Sequence, residues 1–185
     1  MKSFKFLPFP ELQTDRLLLR RLEIKDECEI FQLRSDKIVS KYLTRHLCKT
    51  MEEARAFIQN INVAIENNES VYWAICLKKD KKFIGTICLW NISWENERAE
   101  VGFELLPDFQ KKGYMREALI KVLDFVFNTI YFHSIEGVVI SGNQPSINIL
   151  EKSHFIREGY FRENVFFNGT YLDTIVYSLM KPNKN

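Results

Sequence analysis

The chain has 185 residues, 46% of them hydrophobic and 14% aromatic, which is enough apolar material for one packed core and suits a single domain over 1–185. Its 26 basic and 24 acidic residues leave a net charge of +2, which excludes a general field for nucleic acid, so any phosphate must be held locally. The apolar runs are short and broken by charges, and the start MKSFKFLPFP has no continuous apolar stretch, so the chain reads as cytoplasmic and without a membrane partner.

The first expected strand is RLLLRRL at 16–22, followed by helices over about 25–34 and 51–67. Thr50 and Glu53 fit a capping box at the start of the second helix. SVYWAICLKK and KFIGTICLWNIS are rich in β-branched and aromatic residues and flank the charged turn KKDKK, which predicts an antiparallel hairpin. RAEVGFELL at 98–106 is the next strand. From Gly113 to Asn128 the apolar residues Met115, Ala118, Leu119, Val122, Leu123 and Val126 recur every three or four positions, the stripe of an amphipathic helix. SIEGVVIS at 134–141 is a short strand, QPSINILEKSHF a helix with proline in its first turn, and 160–180 a hairpin around Asn168-Gly169. The order describes an α/β (α+β) fold: a mixed, mostly antiparallel sheet of about seven strands with helices on both faces. Phe161, Phe166 and Phe167 in the last hairpin are either core or a surface for a second copy of the chain, a homodimer. Cys28, Cys48, Cys76 and Cys88 form no Cys-x-x-Cys pair, and His46, His133 and His154 have no zinc spacing, so buried reduced thiols are expected and no metal.

Two stretches carry chemistry. In PDFQKKGY the chain leaves a strand and enters a helix whose first N–H groups have no partner within it, which makes an anion site. Gly113 lets the backbone approach a ligand, and Gln110, Lys111 and Lys112 add donors or charge at the rim. One glycine before a helix is also consistent with a turn and nothing more. The second glycine of a Walker loop and the three glycines of a dinucleotide fingerprint are both lacking. In AEVGFELL, alternation places Glu100, Gly102 and Glu104 on one face and Val101, Phe103 and Leu105 on the other, so two carboxylates share a side with room at the glycine between them.

RAEVGFELLPDFQKKGYMREAL followed by NQPSINILEKSHFIREGYF resembles the two signature motifs of the GNAT acetyltransferase superfamily. With LQTDRLLLRRL the likeness extends to the RimJ/RimL-type ribosomal-protein N-terminal acetyltransferases and spans nearly the whole chain. The resemblance implies an N-acetyltransferase with acetyl-CoA as cosubstrate and an amine acceptor, either a protein N-terminus or a small molecule such as a polyamine, aminoglycoside or amino acid. A non-catalytic CoA-binding module is the alternative outside the enzymes. It implies that Gln110, Lys111, Lys112, Gly113, Tyr114 and Met115 form a pyrophosphate cradle, with Met115 where a small residue is usual. Because Met115 begins the apolar stripe, its side chain is expected in the core and its N–H at the phosphates.

It further implies that a strand bulge frees backbone N–H groups near Leu105 and Leu106 for the pantetheine or thioester. Glu100 is implied as general base through water, with Glu104 second. Asn143 and Ser146 occupy marked positions of the second motif, and Asn143 also suits a helix cap. Where many relatives carry a tyrosine to protonate the thiolate, this chain has Leu150, which leaves Ser146 as proton donor or as hydrogen-bond donor only. His154 replaces a glycine at a helix end that often needs positive φ. Arg45 and His46, between the first two helices, read as an ordinary solvated loop and stay outside the expected site.

Overall fold

The computed structural model describes residues 4–182. Its strands are β1 Leu12–Gln13, β2 Leu17–Arg21, β3 Val71–Leu77, β4 Phe83–Ser93, β5 Arg98–Leu105, β6 Ser134–Ile140, β7 Ile156–Phe167 and β8 Thr170–Met180. The α-helices are α1 Glu27–Ser35, α2 Met51–Glu66, α3 Tyr114–Phe125 and α4 Gln144–Lys152. One sheet holds all eight strands in the order β1-β2-β3-β4-β5-β6-β8-β7. Every neighbouring pair is antiparallel except β5 and β6, which run parallel.

The count exceeds the expected seven by β1. Two residues are too short to show an alternation, and the strand exists because Thr14 turns the chain back, its Oγ1 accepting from Leu17 N–H at 2.9 Å. β7 also begins at Ile156, four residues earlier than the hairpin expected from 160.

Alternation along β3 divides the core. Val71, Trp73, Ile75 and Leu77 join a large cluster with α3 and α4, whereas Ala74 and Cys76 join a smaller one with α1 and α2. Helices therefore cover both faces. The stripe on α3 does what its spacing requires: Met115, Ala118, Leu119, Val122 and Leu123 are all buried, and Val126 continues it into a π turn over 126–130. Each fully buried aliphatic chain contributes about 1.5–3 kcal/mol, so this stripe is a principal attachment of the helix to the sheet. On the edge strand, Phe161 and Phe166 are 51% and 62% exposed, so they are surface rather than core. Among the described residues no helix is long and apolar enough to cross a membrane.

Thr50 Oγ1 accepts from Glu53 N–H at 3.3 Å, but the Glu53 carboxylate takes the N–H of Lys49 at 2.8 Å, one residue outside the expected box. At the end of α4, His154 N–H donates to Glu151 C=O and Phe155 N–H to Leu150 C=O, a Schellman pair. His154 accordingly has φ +67°, where a side chain costs energy and glycine does not. His154→Gly is expected to raise stability by about 0.5–1 kcal/mol. Urea denaturation checks this, and a lower midpoint at equal slope would count against the strain.

Candidate active site

The parallel pairing of β5 with β6 covers only Arg98, Ala99 and Glu100, against Ser134, Ile135 and Glu136. Beyond Glu100, β5 stays paired with β4 as far as Leu105 while β6 follows β8 as far as Ile140, so the sheet opens between them. Leu106 N–H donates to Ile84 C=O at 2.9 Å. In the antiparallel alternation this turns the N–H groups of Phe103 and Leu105 toward the opposite edge, the one β6 has left. Leu105 thus offers a donor at the opening, whereas the Leu106 N–H is already committed, a correction to the pair expected. The register shift beside the site lies in β4, between Trp90 and Ser93.

A cavity of about 350 Å³ passes through the opening. From the α1/α2 face it is lined by Leu43, Thr44, Trp90 and Glu100; Gly137, Asn143, Ser146 and Leu150 line it from the α3/α4 face. The structure therefore brings together Glu100, Asn143 and Ser146, three residues separated by up to 46 positions in the sequence. The room expected at Gly102 is largely taken: a Cβ there would lie 3.1 Å from Cys88 Sγ and 3.7 Å from Trp90 Nε1.

The two carboxylates have different surroundings. Burial pushes the Glu100 carboxyl up from its ordinary value; the hydrogen bond from Asn91 Nδ2 at 3.0 Å opposes this and the nearby Glu136 charge adds to it. Asn91 reaches Glu100 from the shifted stretch of β4 with φ +47°. Glu104 instead accepts from Arg45 Nη2 at 2.6 Å, with the two side chains only 13% and 18% exposed. Arg45 also donates to Arg34 C=O at 3.0 Å. The loop expected to be solvated thus reaches β5 through Arg45. Burial also drives the Cys88 thiol up to about 12, with Glu104 adding to it, so the thiol between the carboxylates stays protonated.

At the start of α3, Gly113 has φ +79° and Lys111 φ +59°. Left-handed residues on either side of Lys112 bend the backbone into a concavity of successive N–H groups. Glu117 N–H makes the first intrahelical bond, to Gly113 C=O at 3.1 Å, which leaves the N–H groups of Tyr114, Met115 and Arg116 ahead of it. A Cβ on Gly113 would meet only Arg16 Nη2, at 3.5 Å. Its dihedral, more than its lack of bulk, is what demands glycine. Gln110 Nε2 donates to Leu105 C=O at 3.0 Å, bracing the turn from inside rather than standing at its rim. Lys111 and Lys112 are exposed, and Met115 is buried.

The cradle is held by residues absent from the expected set. Arg16 Nε bonds Glu117 Oε2 at 2.6 Å, its Nη1 donates to Lys112 C=O at 3.2 Å, and its guanidinium lies 4.5 Å from the Tyr114 ring centroid. Thr14 Oγ1 donates to Glu117 Oε1 at 2.5 Å. Burial pushes the Glu117 carboxyl up, but the bonds from Thr14 and Arg16 outweigh it and hold it below its ordinary value. A separation of 101 residues gave no local signal for this pair.

Asn143 caps α4, its Oδ1 accepting from Ser146 N–H at 3.3 Å, and lines the cavity as well. Leu150 is buried over Gly137, where a Cβ would lie 3.0 Å from both of its methyl carbons, so no proton donor stands there. Among the described residues no group of three or more His, Cys, Asp or Glu could hold a metal ion.

A family model described as acetyltransferase (GNAT) domain matches residues 16–156. The uncharacterized N-acetyltransferase YoaA of Bacillus subtilis (strain 168) is 33% identical over 174 residues, 94% of this chain and 98% of its own length. Spermidine N-acetyltransferase from Vibrio cholerae, in a crystal structure with CoA and spermine, is 25% identical with a TM-score of 0.80, covering 91% of this chain and 97% of that one. The [ribosomal protein uS5]-alanine N-acetyltransferase of Escherichia coli (strain K12) is 23% identical over 188 residues, 95% of this chain and 93% of its own length.

Burial of the Glu100 carboxyl makes stability depend on pH. Well below the ordinary value of 4.5 the group is protonated in both folded and unfolded chains; as pH rises through the interval up to the folded value, ionisation is harder in the folded chain and stability falls. Glu100→Gln removes this cost. Its melting temperature should exceed that of the parent at about pH 7 and converge on it near pH 4. A difference that does not change between the two would show that the carboxylate pays no burial penalty.

Proposed function

The chain belongs to the GNAT acetyltransferases, enzymes that take the acetyl group from acetyl-CoA, and on that premise we propose that it acetylates the α-amine at the N-terminus of a peptide or protein. The observation that carries this reading is the cavity through the split sheet, with a single unpaired carboxylate, Glu100, on its α1/α2 face. Acetyl-CoA supplies the activated acetyl thioester. The open N–H groups of Tyr114, Met115 and Arg116, in the concavity made by Lys111 and Gly113, suit its pyrophosphate. The free edge of β5 leads from there to the cavity, and Leu105 N–H is turned to donate to the pantetheine or to the thioester carbonyl.

Glu100 receives the proton of the attacking amine through water. Neutralising a lysine of pKa ~10.4 at pH 7 takes about 4.6 kcal/mol, against about 1 for an α-amine near 7.7, so one water-linked base of raised pKa suits the α-amine. A polyamine brings further positive charges, and the carboxylate next along the face, Glu104, is already neutralised by Arg45. Ser146 hydrogen-bonds the departing thiolate, and Asn143 holds Ser146 by capping its helix. This reading is cytoplasmic, where the four cysteines stay reduced.

Mass spectrometry of a panel of N-terminal peptides, polyamines and amino acids tests the acceptor. Acetylated peptide α-amines are expected, with kcat/KM lowered about 10²-fold or more in Glu100→Gln and cofactor affinity kept. Acetylation of spermidine with every peptide untouched would overturn the assignment. In the cradle, Gly113→Val is expected to weaken acetyl-CoA about tenfold or more, because valine resists positive φ, whereas Lys111→Ala costs less than about fivefold for an exposed charge. Calorimetry giving the reverse order would mean that the lysines hold the phosphates.

A further inference from the structure

β4 and β5 fall out of step at one place. Trp90 is paired with Glu100 and Ser93 with Arg98, so Asn91 and Ile92 stand opposite Ala99 alone, a bulge. In an unbroken strand the side chains of Trp90 and Asn91 would lie on opposite faces. The extra residue, with φ +47° at Asn91, brings the amide to Glu100 instead, where Nδ2 donates to Oε2 at 3.0 Å. Most side chains resist that φ, and asparagine is one of the few that adopt it readily.

The same carboxylate has a charged neighbour on its other side. Glu136 of β6 is its partner in the last rung of the parallel pairing, and Arg98 Nη1 bonds Glu136 Oε1 at 2.9 Å. Around Glu100 stand Asn91 and the protonated Cys88 thiol from β4, Arg98 and the Arg45-bound Glu104 from β5, Glu136 from β6 and Tyr42 from the segment before α2. Asn91 favours the ionised carboxylate and Glu136 opposes it. Among the described residues the Asn91 amide is the one side chain hydrogen-bonded to Glu100, and it takes a single oxygen.

We propose that Asn91 is a positioning residue for acetyl transfer: from the bulge it holds Glu100 by Oε2 and leaves Oε1 to take, through a water, the proton that the attacking amine loses. The inference rests on the reading of Glu100 as base. The proton passes from Oε1 to bulk water before the next turnover, and the bond at Oε2 returns the carboxylate to the same place. Arg98 has the complementary part, since by neutralising Glu136 it keeps the second carboxylate of the rung from holding Glu100 protonated.

Asn91→Gly separates the amide from the bulge, because glycine takes a positive φ without strain. Its melting temperature is expected to hold or rise, whereas kcat for an alanine-initiated peptide at about pH 7 falls about tenfold and KM for acetyl-CoA stays within about twofold. The acid limb of kcat/KM should move to higher pH in Asn91→Gly, which removes a donor to the ionised form, and to lower pH in Glu136→Gln, which removes a like charge. Carbon-13 NMR titration of the Glu100 carboxyl in the whole enzyme reads the same two shifts without turnover. A Glu100 titration that is equal in the parent and Asn91→Gly overturns the proposal, and so does full activity of Asn91→Gly, which would make Asn91 a turn residue only. Titrations that move as expected while the kcat/KM limb stays in place overturn the reading of Glu100 as base, and not the hold of Asn91 on it.

Discussion

The short parallel pairing of β5 with β6 is the constraint on which the rest depends. Three residues of register suffice to join the two halves of the sheet, and the strands then follow different partners. Had the pairing continued, the N–H of Leu105 would be used in a ladder, the cavity would be filled by sheet, and the two faces would be sealed from each other. Because it stops, a cavity lined by residues of both faces runs through the sheet beside Glu100.

Charge is distributed to serve that opening. Glu117 and Glu104 are both tied up by arginines from distant segments, Arg16 and Arg45. Each pair fastens a functional loop: Arg16 the start of α3, Arg45 the segment over the cavity. Glu100 has only an amide partner and is the carboxylate raised by burial, which separates it from the two braced ones among chemically identical side chains.

Alternation and helical periodicity made most of the fold legible. The α3 stripe, the burial of Met115 and the shared face of Glu100 and Glu104 follow from spacings of two, three and four residues, which backbone geometry imposes locally. The positive φ at His154 was expected from the resemblance, which puts a glycine at that helix end. β1 was not readable, because two residues carry no period. The commitment of Leu106 N–H to Ile84 and of the Gln110 amide to Leu105 depended on which edge and which side each group faced after folding.

By itself, then, the sequence determined the family, the mixed sheet with helices on both faces, and the candidates for base and cradle, because motifs and periods are local records of backbone geometry. Tertiary packing settled where the sheet parts, which of two carboxylates lacks an ion-pair partner, and that Arg16, Arg45 and Asn91 contact Glu117, Glu104 and Glu100. Those outcomes turn on contacts between residues 9 to 101 positions apart. No local pattern encodes such contacts, since their energy depends on packing that exists only once the chain has closed on itself.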